Sequence, residues 1–172
     1  MNLLRPRKIC SMKFILSDEI FEKAHEKFLE KKLLLLSIDP SLDVCQSGGT
    51  SAKGILTRGD LDLLIRTDTP EQLSRITESL KGKFEIKHPS LWNQEYSLFF
   101  EKDEFDIDYV LVLKESPYDK AQQKIKELLK DKNFCNEYNE LKRKYSDTEY
   151  SEYSKAKREF LNRKGDYRPQ EK

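Results

Sequence analysis

The run Asp60-Leu61-Asp62-Leu63-Leu64-Ile65-Arg66 limits the fold more than any other part of this 172-residue chain. Its apolar residues suit a strand, and side chains on a strand alternate between faces. Asp60 and Asp62 then share one face, and Leu61 and Leu63 share the other. Two carboxylates on one face raise each other's pKa unless a cation holds them together. Mg²⁺ meets that need, since it takes one or two carboxylates along with substrate phosphate oxygens. Upstream stand Gly48 and Gly49, where no side chain keeps a phosphate away from backbone N–H groups. Loop and acids together point to metal-dependent phosphoryl or nucleotidyl transfer. The plain alternative is a tight turn leading into a solvated strand end.

The rest of the chain supplies a frame for that strand. Ser17-Asp18-Glu19 offers a helix N-cap with acids in the first turn, followed by apolar residues at Ile20, Phe21, Ala24, Phe28 and Leu29. This helix is expected to run to about Ser37, before Asp39-Pro40 breaks it. A short strand over Leu42 to Cys45 delivers the chain to the glycines, and Asp60 to Arg66 make the next one. Thr69-Pro70-Glu71 opens a second helix, with Pro70 at its first position, and Lys81-Gly82 closes it. Three β-like runs follow, Phe84 to Lys87, Glu95 to Phe100 and Phe105 to Leu113, the last two joined by a turn at Lys102-Asp103-Glu104. From Pro117 the pattern is helical, with helices expected at 118–131, 134–145 and 148–163. The sum is an α+β domain with a mixed sheet, flanking helices and a C-terminal helical cap. Its expected division is an N-terminal extension over 1–16, one domain over 17–165 and a polar tail over 166–172.

At this length the chain buries a proper core as one domain. It is 37% charged, yet its formal net charge is only +1, which gives no dedicated nucleic-acid surface. Cys10, Cys45 and Cys135 are widely spaced and belong to no Cys/His grouping, so free thiols in a reducing cytoplasm are expected rather than a zinc site. No apolar stretch approaches the length of a membrane span. Trp92 is expected as a core anchor, and His25 and His88 are assigned no role.

The glycine pair, the spacer and the Asp-x-Asp strand resemble the nucleotidyltransferases of DNA polymerase β type. More narrowly, Gly48-Gly49-Thr50-Ser51-Ala52-Lys53-Gly54-Ile55 followed by Leu56-Thr57-Arg58-Gly59-Asp60-Leu61-Asp62 resembles the loop and strand of the GrpB-like proteins of that superfamily. Tyr138-Asn139-Glu140-Leu141-Lys142 is similar to their Tyr-x-x-Leu-Lys segment. Tyr153-Ser154-Lys155-Ala156-Lys157-Arg158-Glu159-Phe160 is similar to their Tyr-x-x-Ala-Lys-x-x-Phe segment. The resemblance covers roughly residues 18–162. The chain departs from the pattern at Gly49, where the family usually has serine, at Lys53, where it has proline, and at Gln46 and Ser47.

The resemblance implies a third carboxylate on a neighbouring strand, for which Asp106 and Asp108 are the alternatives and Asp108 the better match. It implies that Asp60, Asp62 and Asp108 hold Mg²⁺ and serve catalysis. Gly48, Gly49, Thr50 and Ser51 would then cradle nucleotide phosphates, with Lys53 and Arg58 neutralising their charge. Tyr138 with Lys142, and Tyr153 with Lys157, stand four residues apart on helix faces. They either pack the interhelical seam or meet the ligand. The expected function is transfer of NMP from an NTP to an unknown small-molecule or macromolecular acceptor. The alternative is a nucleotide- or metabolite-binding protein that keeps the fold with little catalysis.

Overall fold

A computed structural model of the chain describes residues 12–165. Twelve elements follow in order: β1 (Ile15–Leu16), α1 (Phe21–Ile38), β2 (Asp43–Ser47), β3 (Leu56–Thr57), β4 (Leu61–Thr67), α2 (Pro70–Leu80), β5 (Glu85–Ile86), β6 (Tyr96–Lys102), β7 (Asp106–Leu113), α3 (Pro117–Leu128), α4 (Lys132–Lys144) and α5 (Tyr150–Lys164). Five strands form one sheet in the order β2-β4-β7-β6-β5. Only the central pair, β4 and β7, runs parallel. The architecture is therefore the expected α+β arrangement with a mixed sheet and C-terminal helices.

Alternation along β4 and β7 decides which face is which. Leu61, Leu63 and Ile65 project with Ile107, Tyr109 and Leu111 into the main core, where Ala24, Phe28 and Leu35 of α1 and Leu73, Ile76 and Leu80 of α2 meet them. Burying each such side chain contributes about 1.5–3 kcal/mol. Leu64, Val110 and Val112 point to the opposite face and pack with Tyr96 and Leu98 in a smaller cluster. A third cluster, built from Ile55, Phe134, Tyr138, Phe160 and Leu161, ties α4 and α5 to the loop after β2. Trp92 packs against the main core as expected, its ring 5.0 Å from Phe99 and its indole N–H donating to the Lys87 carbonyl.

The expected start of α2 holds: Pro70 opens the helix, and the Thr69 hydroxyl accepts from the Gln72 N–H at 3.1 Å. The expected hairpin holds as well, with Lys102 opposite Asp106 in the register of β6 and β7. Ser17 and Asp18, however, do not cap α1. They lie in a separate helical turn, and α1 begins at Phe21 with no side-chain cap. The Ser17 hydroxyl accepts instead from the Ile55 N–H at 3.2 Å, and the Asp18 carboxylate from the Gly54 N–H at 2.6 Å. Groups that suit a helix N-terminus hold the distant glycine loop because its backbone donors need partners more than a solvated helix end does. Leu29, expected on the buried face, is 46% exposed. The short strands β1 and β3, paired antiparallel, were not foreseen. The Met12 carbonyl accepts from Asp147, so the chain is tied to the domain from there onward. Cys10 lies outside the described residues. Cys45 and Cys135 are free thiols. No helix among the described residues is long and apolar enough to cross a membrane.

Candidate active site

The parallel pairing of β4 with β7 places Asp62 directly opposite Asp108. Both side chains leave the sheet on the face away from α1 and α2, as the burial of Leu61, Leu63, Ile107 and Tyr109 on the other face requires. With Asp60 they line one cavity of about 200 Å³. Asp106, the alternative third acid, lies at the mouth of the hairpin and is not among the lining residues.

The loop before β4 is shaped by Asp62. Gly48 has φ +70°, and a Cβ placed there would lie 1.9 Å from the Asp62 carboxylate oxygen. Only glycine lets the backbone pass this close to the acid. The Thr50 hydroxyl donates to the Asp60 carbonyl at 3.0 Å, and the Ser51 hydroxyl to the Gly48 carbonyl at 2.7 Å. Gly48 and Gly49 line the cavity, whereas the hydroxyls of Thr50 and Ser51 are committed to bracing the loop. Arg58 lines the cavity and ion-pairs with Asp60, its guanidinium 4.6 Å from the centre of the Tyr150 ring. Lys53 stands elsewhere: it pairs with Glu22 at 3.4 Å and lies 4.8 Å from the centre of the Phe21 ring.

The C-terminal helices close the cavity from the far side. Tyr138 and Lys142 of α4, with Tyr153 and Lys157 of α5, all line it. The seam reading holds for Tyr138, which packs in the third cluster and also lines the cavity. Lys142 donates to the Leu56 carbonyl and lies 3.9 Å from the Tyr138 ring centre. Asn139 holds the same stretch, accepting from the Leu56 N–H and donating to the Gly54 carbonyl, both at 2.8 Å. The loop is thus clamped by α4 on one side and by Ser17 and Asp18 on the other.

The electrostatics follow from this enclosure. Burial pushes the Asp62 carboxyl up to about 7, Asp108 and Asp60 push it the same way, and Lys157 and Arg58 oppose them. Burial pulls Lys142 down to about 7, helped by Lys157 and Arg58. An acid that resists ionising faces an amine that resists protonation. A ligand carrying both positive and negative charge relieves the two together. The donor set fits Mg²⁺, which takes carboxylate oxygens and keeps positions for phosphate. Among the described residues no group of three or more such side chains stands close enough to hold an ion. Asp60 pairs with Arg58, and the Asp108 oxygens accept from Lys87 at 2.7 and 2.9 Å.

Sequence reasoning missed Lys87, Tyr150, Gln122 and Phe14. Tyr150 was within reach, since Tyr150, Tyr153 and Lys157 fall at helical spacing. Lys87 follows the edge strand β5, and nothing in the local sequence links it to Asp108.

No protein-family model matches the chain, and no curated protein matches it by sequence. Solved structures do match in shape. The crystal structure of the conserved protein GrpB from Enterococcus faecalis superposes with a TM-score of 0.59 at 14% identity, covering 82% of this chain and 94% of that one. The Cid1 poly(U) polymerase bound to MgGTP gives 0.43 at 18% identity, over 67% of this chain and 42% of that one. A cytoplasmic RNA terminal U-transferase gives 0.43 at 20% identity, over 67% and 38%. The fold is GrpB-like.

Proposed function

We propose that the protein is a Mg²⁺-dependent nucleotidyltransferase that moves NMP from an NTP to an acceptor and releases pyrophosphate, acting in the cytoplasm. The reading rests on one observation: Asp62 and Asp108 are register partners on the floor of a cavity whose other wall carries Arg58, Lys142 and Lys157. Acids on one side and cations on the other match a metal-bound polyphosphate. When bound at Asp60, Asp62 and Asp108, Mg²⁺ supplies charge stabilisation to the attacking and leaving oxygens.

The chain's own residues do the rest. Arg58, Lys142 and Lys157 bind the triphosphate, and Gly48 and Gly49 let it approach the backbone. Asp108 accepts the proton of the attacking acceptor hydroxyl once Lys87 has moved off it. The acceptor oxygen bonds to the α-phosphorus, and the bond from that phosphorus to the bridging oxygen breaks. Tyr150 and Tyr153 wall the cavity.

A second reading has its own support. Asp60 and Asp108 each already have a cation from the chain, Arg58 and Lys87. A protein so neutralised would bind a nucleotide and turn it over slowly or not at all. A thermal-shift panel of NTPs with and without Mg²⁺, run beside a pyrophosphate-release assay, separates the two readings. Stabilisation that needs Mg²⁺, disappears in Asp62→Asn and comes with pyrophosphate supports the enzyme. Stabilisation without pyrophosphate for any acceptor supports the binding protein. No stabilisation by any NTP overturns both.

A further inference from the structure

β2 is an edge strand, hydrogen-bonded to β4 on one side only. A groove of about 410 Å³ runs along its other side, between α1 and the end of α3. One wall is aromatic, from Phe21, His25 and Phe28, and the floor is Val44 to Gln46 of the strand itself. The remaining charges on its lining are all positive: Lys32, Lys126 and Lys130. Glu127 pairs with Lys130 at 2.7 Å, but no carboxylate lines the groove among the described residues.

An open strand edge offers unpaired backbone donors and acceptors at the spacing of another strand. An apolar wall beside it takes every second side chain of an added strand, and the lysines select the charge of the others. Together these features favour a polypeptide over a nucleic acid, since only a peptide backbone pairs with the open edge of β2 at strand spacing. We propose that this groove binds an extended polypeptide segment bearing acidic side chains, added to the sheet as a further strand along β2.

The groove also touches the glycine loop. Ser51 and Ala52 line it, and the Gln46 side chain donates to the Thr50 carbonyl at 3.0 Å while lying 3.3 Å from His25. Leu129 lines both this groove and the carboxylate cavity. A strand seated on β2 therefore bears on the loop that passes Asp62.

The test uses the full chain and a fluorescein-labelled octapeptide of alternating aspartate and valine. Three controls accompany it: a lysine–valine octapeptide, the aspartate–valine peptide N-methylated at alternate residues, and an oligouridylate. Only the unmodified acidic peptide should bind, and it should shift the backbone amides of Val44 to Ser47 in a ¹⁵N spectrum. Lys126→Glu with Lys130→Glu should weaken binding about tenfold. Neither lysine lines the carboxylate cavity, so NTP-induced thermal shifts in the double variant should match the parent whichever reading of that cavity holds. Equal binding of the N-methylated peptide, binding of oligouridylate alone, or acidic-peptide binding untouched by the charge reversals would each overturn the proposal. So would the absence of binding by the acidic peptide.

Discussion

The two ends of β4 carry the same kinds of charge on the same face of the sheet and treat them in opposite ways. At its end, Arg66 donates to both oxygens of Asp119, at 2.7 and 2.9 Å, and to Asp43 at 2.7 Å. Asp119 also accepts from the Glu115 N–H at 2.9 Å, so burial is offset and its carboxyl is held below the ordinary range, chiefly by Arg66. At the other end, Asp62 meets two more acids and the backbone of Gly48, and burial raises it. One end is saturated with partners. At the other, burial and two neighbouring acids raise Asp62 against the opposing pull of Lys157 and Arg58. A depressed carboxyl marks structure, and a raised one marks the site.

Breaking the saturated end should have the largest effect. Asp119→Ala leaves Arg66 facing Asp43 alone and removes the acceptor for Glu115, at a cost of about 3 kcal/mol. Thermal unfolding should show a fall in Tm of roughly 6–12 °C. The same pair sets an acid limit. Because the folded carboxyl is depressed, its contribution is complete above the unfolded carboxylate value of about 4 and is lost as pH falls through the lower folded value. Melting curves from pH 6 down to 3 should therefore drop more steeply in the parent than in Asp119→Asn. Parallel curves would mean that Arg66 gains nothing from the charge of Asp119.

At the Asp62 end the next effect is steric. Gly48→Ala forces a side chain onto the Asp62 carboxylate and into a backbone region that L-residues rarely adopt. The loop must give, at about 1–3 kcal/mol, and any Mg²⁺-dependent NTP stabilisation should vanish. Retained stabilisation would mean that loop and acid are not one unit. A smaller effect of opposite sign tests the same acid: Asp62→Asn removes a charge that folding disfavours, so the ligand-free protein should gain about 1 kcal/mol, or 2–4 °C in Tm. A lower Tm would show that Asp62 is already satisfied and that the contrast between the two ends is false.

What the sequence revealed follows the same division. β4, α2 and the β6–β7 hairpin were legible because periodicity, Pro70 and the turn at Lys102-Asp103-Glu104 are local signals. Asp62 was legible as half of a carboxylate pair on one strand face. The partners of the loop were not, since Ser17, Asp18 and Asn139 come from segments 36 to 85 residues away. Ser17 and Asp18 even carried a misleading local signal, because a good N-cap residue is any short side chain that accepts from a free N–H, wherever that N–H lies. Strands as short as β1 and β3 have no period to read.

Lys87 gives the smallest stability change and the sharpest test of the contrast. Its pair with Asp108 is about a third exposed on the lysine side, and such pairs contribute about 0–1 kcal/mol. Lys87→Met keeps the carbonyl that accepts from the Trp92 indole and keeps an apolar chain against the Phe100 ring. Tm should therefore hardly move. Affinity for a divalent ion should rise, because a competing cation has left Asp108. Calorimetric titration with Mn²⁺, in parent and variant, measures this directly. If Lys87 is a resident substitute for the metal, removing it strengthens binding, and adding Asp62→Asn abolishes the gain. Equal affinity in parent and Lys87→Met would mean that Asp108 belongs with the saturated end of the sheet, leaving Asp60 and Asp62 alone to hold an ion.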